Sequence, residues 1–348
     1  MTRPTIREVA RHAGVSISTV SHTLSGHRPV GSETAARVFE AIEELGYRPN
    51  RIAASLVMGK TRTLGLVVPD IANPFFAALV RAVEYAAINH GYTTVACSSE
   101  RNAFLEDQYL DLLIDQQVDG VVYVGDPRRV RHRLERLDER GTAVVLLDRI
   151  DNEVAGRWVS VSADSAAGGA LVAAHLLDLG HRRFGIVAGP RELVTSEDRL
   201  TGFRLRVGND ESVSVVNARD FMLEEGIEAV ELLLSRSSEI TALFCENDLI
   251  ALGAIRVAHQ RGIRVPDDLS IVGYDDIFVS CLVTPSLTTI RQPVEELGVA
   301  AVNAAVGLTE RTEPAPASVL LEVELVRRES SGAAPRQCVL QSKAQPNR

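Results

Sequence analysis

The run from Thr5 to Leu24, TIREVARHAGVSISTVSHTL, leaves this chain few ways to begin. Ile6, Val9, Ala10 and Ala13 recur at three- and four-residue steps, which puts them on one face of a short helix, Ile6–Ala13. Gly14 stops that helix, because a residue without a Cβ takes a positive φ at little cost. Ser16 stands at the N-cap of a second helix. Its Thr19, Val20, Thr23 and Leu24 turn inward, while Ile17, Ser18, Ser21 and His22 stay outside. A small Ala10, a glycine in the turn and an apolar Val20 are the spacing of a helix-turn-helix, whose two helices cross closely. The outer face carries short hydroxyls and one imidazole, not the Glu/Lys mixture of a merely solvated helix.

Charge supports the same reading. Residues 1–62 hold nine Lys/Arg against five Asp/Glu, and the rest of the chain holds 28 against 41, so a head of net +4 precedes a body of net −13. A basic head suits a module that binds phosphates. A third helical run, Glu33–Leu45, is followed by GYRPNRIAASLVMGK. Pro49 cannot extend the preceding helix and Asn50 can cap a new one, but Arg51–Met58 is too short to hold itself helical. ASLVMGKT imitates a phosphate loop; Ala54 replaces its first glycine and no strand precedes it, which argues against an NTPase.

After Arg62 short apolar runs alternate with amphipathic helices. TLGLVVP, TTVACS, GVVYV and AVVLLD form one series; RFGIVAG, VSVV, ALFC and LSIVGYD form another. Nearly continuous Val/Ile/Leu runs separated by helices imply parallel sheets covered on both faces, and two series imply two doubly wound α/β lobes. Ligands in such folds bind beyond the carboxyl ends of the strands. Polar residues cluster there: Asp70 before Asn73-Pro74-Phe75-Phe76, Asp148-Arg149, Thr195 with Arg199, Asn247-Asp248, and Asp275-Asp276. Any one could be a helix cap, as Asn247 and Asp248 well illustrate, but five share one edge.

The first stretch resembles the headpiece of the LacI/GalR family of bacterial transcription regulators, in which AGVS-x-x-TVS opens the recognition helix. The resemblance implies that Ile17, Ser18 and His22 read base edges, that Ser16, Thr19 and Ser21, with Thr5, lie near phosphates, and that Asn50, Ala53 and Leu56 belong to a hinge helix. Leu56 would wedge into the minor groove. Histidine at position 22, where many members carry arginine, resembles the purine-repressor branch. Over about 63–328 the body is similar to the family's effector-binding core, itself related to periplasmic sugar-binding proteins. Carried over by position, Phe75, Phe76, Asp148, Thr195, Arg199, Phe221, Asn247 and Asp275 bind effector. Arginine, carboxylates and an aromatic face suit a polyhydroxylated ring. Three departures stand out: Glu246 replaces a small residue, Ser165 replaces asparagine, and 202–221 is short.

The resulting expectation is a helix-turn-helix headpiece at 1–48 and a hinge at 49–61. The first lobe is 62–160 with 292–318, the second is 161–291 with 319–330, and a disordered tail covers 331–348. The expected function is a repressor, homodimeric on pseudo-palindromic operator DNA and controlled by a small molecule, a sugar or alternatively a nucleobase. No cofactor is expected. MTRPTIREVA lacks an apolar signal region and no 18-residue apolar run exists, so neither export nor a membrane span is expected, and the chain is placed in the cytoplasm, at the nucleoid. Cys97, Cys245, Cys281 and Cys338 lack the spacing of a disulfide frame or metal site. An enzyme and a secreted solute-binding protein are the competing classes. G-x-G-x-x-G, G-x-S-x-G and H-E-x-x-H are all missing, and His90, His132, His175, His181 and His259 are helix-end or surface positions that do not group with a nucleophile.

Overall fold

The structure, a computed structural model, describes residues 4–25, 28–47, 59–148, 157–208, 210–237, 239–310 and 318–336. The chain divides into two units, Met1–Thr61 and Arg62–Arg348.

In the first unit α1 (Ile6–Ala13), α2 (Ile17–Ser25) and α3 (Ser32–Leu45) close around Val9, Ala10, Ala13, Val20, Val38 and Ala41. The Thr5 backbone N–H and hydroxyl both donate to Glu8, at 2.7 and 2.9 Å, and start α1. Gly14, at φ 65°, lets its own N–H and that of Val15 reach the carbonyls of Arg11 and Ala10. Ser16 Oγ accepts from the Thr19 backbone N–H at 3.1 Å and caps α2. Val20 is wholly buried, whereas Thr19, Thr23 and Leu24 are only half-buried. Ser21 and His22, expected outside, are half-buried too, because in so small a bundle the helix flank is partly covered. Asn50, Ala53 and Leu56 lie outside the described residues.

In the second unit the first lobe begins with β1 (Thr63–Val68), α4 (Pro74–Asn89), β2 (Thr93–Ser98) and α5 (Ala103–Asp115). It continues with β3 (Gly120–Tyr123), α6 (Arg131–Glu139), β4 (Ala143–Leu147) and β5 (Val159–Ala163). The second lobe takes α7 (Ser165–Asp178), β6 (Phe184–Ala188), α8 (Val194–Val207), β7 (Val213–Asn217) and α9 (Leu223–Arg236). After these come β8 (Ala242–Cys245), α10 (Asp248–Gln260), β9 (Ser270–Asp275) and β10 (Thr288–Arg291). Then α11 (Val294–Glu310) and β11 (Ser318–Leu321) return to the first lobe, and β12 (Glu324–Val326) to the second.

Among the described residues two six-stranded sheets result, ordered β2-β1-β3-β4-β5-β11 and β7-β6-β8-β9-β10-β12, with only the β10–β12 pair antiparallel. β3, β4, β6, β8 and β9 are buried along their whole length, as parallel strands between two helix layers must be; the edge strands β2 and β7 are partly exposed. The crossings between lobes differ from expectation by a few residues. β5 stays in the first sheet through Ala163, and β11 pairs with it through Leu321, so the first and last crossings fall near 164 and 322, not at 160 and 318. Register decides this: the alternating serines of VSVSA blur the strand, but its neighbours pair with it throughout.

The tail needs a larger correction. Residues 331–336 are not loose. Ser331 Oγ lies 2.8 Å from His175 Nε2, the Gly332 N–H donates to Ser270 Oγ at 3.0 Å, and the Ala334 N–H donates to the Leu179 carbonyl. His181, wholly buried, sits between Thr241 and Ser270 with its Nε2 3.1 Å from the Gly332 carbonyl. The two histidines expected at helix ends or on the surface are therefore buried clasps. Burial pushes the His175 pKa down to about 4, so the ring is neutral where it holds the tail. Among the described residues no helix is long and apolar enough to cross a membrane.

Candidate functional site

All eight residues expected to bind effector line one cleft between the lobes, together with Asn73 and Gln292. The cleft is open to solvent and holds about 300 Å³ of non-atom space, solvent included. From the first lobe, Asn73 caps α4 by accepting from the Phe75 N–H at 3.0 Å, which turns Phe75 and Phe76 into the cleft. Their rings meet edge to face at 5.2 Å. Asp148 ends β4 in a left-handed conformation (φ 66°), its N–H tied to the Val161 carbonyl.

The second lobe supplies Arg199, Thr195, Phe221, Asn247 and Asp275. Arg199 is held by packing before any ligand arrives. α7 and α8 touch backbone to backbone: a Cβ on Gly169 would lie 2.0 Å from the Arg199 carbonyl oxygen, and one on Gly202 1.9 Å from that of Ala166. The Arg199 guanidinium lies 3.8 Å from the Tyr274 ring centroid, and its Nη1 donates to the Glu246 carbonyl at 2.6 Å. Among the described residues its Nε has no hydrogen-bond partner. Burial favours loss of its proton, but Tyr274, Asp275, Asp148 and Glu246 outweigh that and hold its pKa above the ordinary value. The arginine is charged.

Asp275 ends β9 at φ 110°, a region that side chains rarely adopt, and accepts from Gln292 Nε2 at 2.7 Å. Burial raises its pKa well above the carboxylate range, against the pull of Arg199. Asn247 does both things open to it. Its Oδ1 caps α10, accepting from the Ile250 N–H at 2.8 Å, and its Nδ2 donates to the Phe221 carbonyl at 2.9 Å, which holds that aromatic wall. Phe221, on the shortened segment, is buried in the cleft beneath the Arg101 guanidinium, 5.3 Å away. Asp248 faces away from the ligand space: it accepts from the Ile277 N–H and from the hydroxyls of Ser280 and Thr289.

Two features escaped the sequence. Gln292 follows β10, a four-residue strand hidden in LTTIRQ, and only the crossing brings it to the cleft; its Oε1 is buried without a hydrogen-bond partner among the described residues. Glu246, which stands where the resemblance implies a small residue, is wholly buried and accepts from the Gly189 N–H at 2.7 Å and from the Ser196 hydroxyl.

In the headpiece, Ser16 Oγ lies 2.7 Å from Ser18 Oγ and 2.8 Å from Thr19 Oγ1, and Ile17 is 45% exposed beside them. A row of hydroxyls and one apolar side chain on the second helix is the composition of a face that meets a groove.

A helix-turn-helix on the same chain as a two-lobed α/β ligand cleft defines the class of ligand-controlled DNA-binding regulators. Residues 5–50 match the model of bacterial regulatory proteins of the lacI family, and residues 173–331 that of the periplasmic binding protein-like domain. The ribose operon repressor of Halalkalibacterium halodurans is 37% identical over 294 residues, 84% of this chain and 87% of that protein. The HTH-type transcriptional repressor PurR of Edwardsiella ictaluri is 36% identical over 343 residues, covering 95% and 98%. Among solved structures, the lac repressor dimer bound to operator and the anti-inducer ONPF superposes with a TM-score of 0.85 at 27% identity, covering 95% of this chain and all of that one. The chain belongs to the LacI family of bacterial transcriptional regulators; it is a DNA-binding regulator, not an enzyme.

Proposed function

We propose that this regulator is a cytoplasmic repressor whose cleft takes a neutral polyhydroxylated molecule, a sugar, and that it acts as a homodimer on a two-fold operator. The observation that carries the effector reading is the charge inventory of the cleft. One guanidinium faces Asp148 and Asp275, and burial holds Asp275 toward its neutral form. Asp148 already balances the arginine, while a neutral Asp275 both donates and accepts, so hydroxyls, which donate to a carboxylate and accept from an arginine, match this set better than an anion does. The unpartnered Arg199 Nε and Gln292 Oε1 supply one more donor and acceptor, and Phe75, Phe76 and Phe221 give the apolar faces of a sugar ring something to lie against. A nucleobase is the second reading, favoured by the flat Phe221 wall.

On the DNA side, Ile17, Ser18 and His22 read base edges, and Thr5, Ser16, Thr19 and Ser21 touch phosphates. Asn50, Ala53 and Leu56 form the hinge that bends the duplex. A dimer follows from the symmetry of such operators, and the lac repressor neighbour is one. Calorimetry with D-ribose, other neutral aldoses, their phosphates, hypoxanthine and guanine tests the cleft, and a gel shift with the binding compound tests the coupling. Tighter binding of a sugar phosphate than of its neutral parent overturns the charge argument.

A further inference from the structure

We propose that Glu246 is a positioning residue that clamps the turn between β6 and α8, and with it Thr195 and Arg199, in the geometry the cleft needs. The inference rests on the effector cleft described above and extends it to a residue that does not line it.

The clamp is built from three contacts. The Glu246 carboxylate accepts, through one oxygen, from the Gly189 N–H where β6 ends and from the Ser196 hydroxyl in the first turn of α8. Its backbone carbonyl accepts from Arg199 Nη1, one turn further along the same helix. One residue at the end of β8 thus fixes both ends of the Gly189–Ser196 turn. That turn carries Thr195 into the cleft, and its Glu192 carbonyl accepts from Arg128 Nη2 of the other lobe at 3.1 Å. The other carboxylate oxygen, Oε1, is buried with no hydrogen-bond partner among the described residues. A packing role needs no carboxylate here, and burying one without full hydrogen bonding is costly.

The clamp also responds to protons. Burial raises the Glu246 pKa to about 7, against the lowering by Ser196, Gly189 and Arg199. The charged and titratable groups around it are Glu197 and Arg199 on α8, Cys245 on its own strand and Asp248 beyond it. Through Arg199 it also feels Asp148, Tyr274 and Asp275. β6 contributes only a backbone N–H. The closed clamp keeps a proton that a solvated carboxylate releases, so the turn loosens as pH rises through neutrality.

Hydrogen exchange of the full-length protein, corrected for intrinsic rates, tests this without any ligand. In the wild type, protection of the 189–199 segment falls between pH 6 and pH 8, because the opened turn exposes a carboxylate that ionises more readily than the buried one. Glu246→Gln keeps an acceptor and does not titrate, so its protection is flat with pH and exceeds that of the wild type by a margin that grows from pH 6 to pH 8. Glu246→Ala and, independently, Ser196→Ala lower protection about tenfold or more, the loss expected for one charge-assisted hydrogen bond, while the α4 segment is unchanged. An unaltered pH profile in Glu246→Gln, or full protection in Ser196→Ala, overturns the clamp. In calorimetry with D-ribose, Glu246→Ala weakens binding about tenfold or more, and Glu246→Gln departs from the wild type most at pH 8. Failure of the wild type to bind D-ribose counts against the ribose reading alone, and the exchange profile then decides the clamp.

Discussion

The outer face of α2, proposed to meet DNA, and the cleft between the lobes, proposed to take the effector, are built in opposite ways. On α2 the hydroxyls of Ser16, Ser18 and Thr19 satisfy one another and Ile17 stands in water. In the cleft Arg199, Asp148 and Asp275 are each under 9% exposed, and two of them sit on left-handed backbone. A face that docks on a long polyanion can stay wet, because counterion release and many shallow contacts supply the affinity. A site for a small molecule has few contacts, so each must be desolvated and aimed beforehand. The ionisable groups record the difference. Glu8 in the headpiece has a pKa lowered by its hydrogen bonds to Thr5, whereas burial raises those of Glu246 and Asp248 to about 7.

The contrast can be broken first at Arg199. Arg199→Ala leaves Asp275 and Asp148 buried without their counter-charge, a change worth about 3–5 kcal/mol. Effector response should vanish while operator affinity in a gel shift stays within a few-fold; a retained response at the same effector concentration would sink the cleft assignment. Next is Gly202→Ala, whose Cβ would collide with the Ala166 carbonyl. It should destabilise the body by about 3 kcal/mol, seen as a lower unfolding temperature, and should weaken effector binding by displacing α8; exchange protection of α1 should not change. On the headpiece side, His22→Ala should cost about 1–3 kcal/mol on operator and little on random DNA. Equal losses on both would reduce His22 to a backbone contact. Ser16→Ala should destabilise the headpiece by about 1 kcal/mol, since it removes the α2 cap, and should leave ligand affinity untouched.

The smallest effect is a slope. For Glu246 and Asp248 the folded pKa lies above the unfolded one, so between roughly pH 4.5 and 7 the folded body keeps protons that the unfolded chain has released. Stability from these groups is greatest below that window and falls as pH rises through it. Glu8 works the other way: its contribution is present above its unfolded pKa and lost on acidification. Scanning calorimetry of the wild type and Glu246→Gln from pH 5 to 8 checks the sign, the variant gaining on the wild type as pH rises. A difference that does not change with pH would mean Glu246 titrates normally.

Much of this was legible beforehand. Helix bounds for α1, the turn at Gly14 and the Ser16 cap follow from local rules, because each is settled within four residues by φ preference or a single hydrogen bond. The central strands were legible too, since full burial demands an unbroken apolar run. β10, β11 and β12 were not: they are three or four residues long, and their pairing partners are remote in sequence. The tail at 331–336 reads as polar and unpatterned, yet it is ordered by His175, His181 and Ser270, residues 60 and more positions away.

What the sequence by itself determined is the kind of machine: a basic helix-turn-helix head, two wound lobes, and a set of polar residues at strand ends. These rest on periodicity, capping and charge, all of which act over short stretches of chain. What only the tertiary structure decided is the company those residues keep. Asn247 is at once a helix cap and a brace for Phe221, Gln292 aims Asp275, and Glu246 is buried as a clamp instead of facing water. None of that is visible along the chain, because burial and the sharing of one hydrogen bond between distant strands are properties of the packed lobes, not of any window of residues.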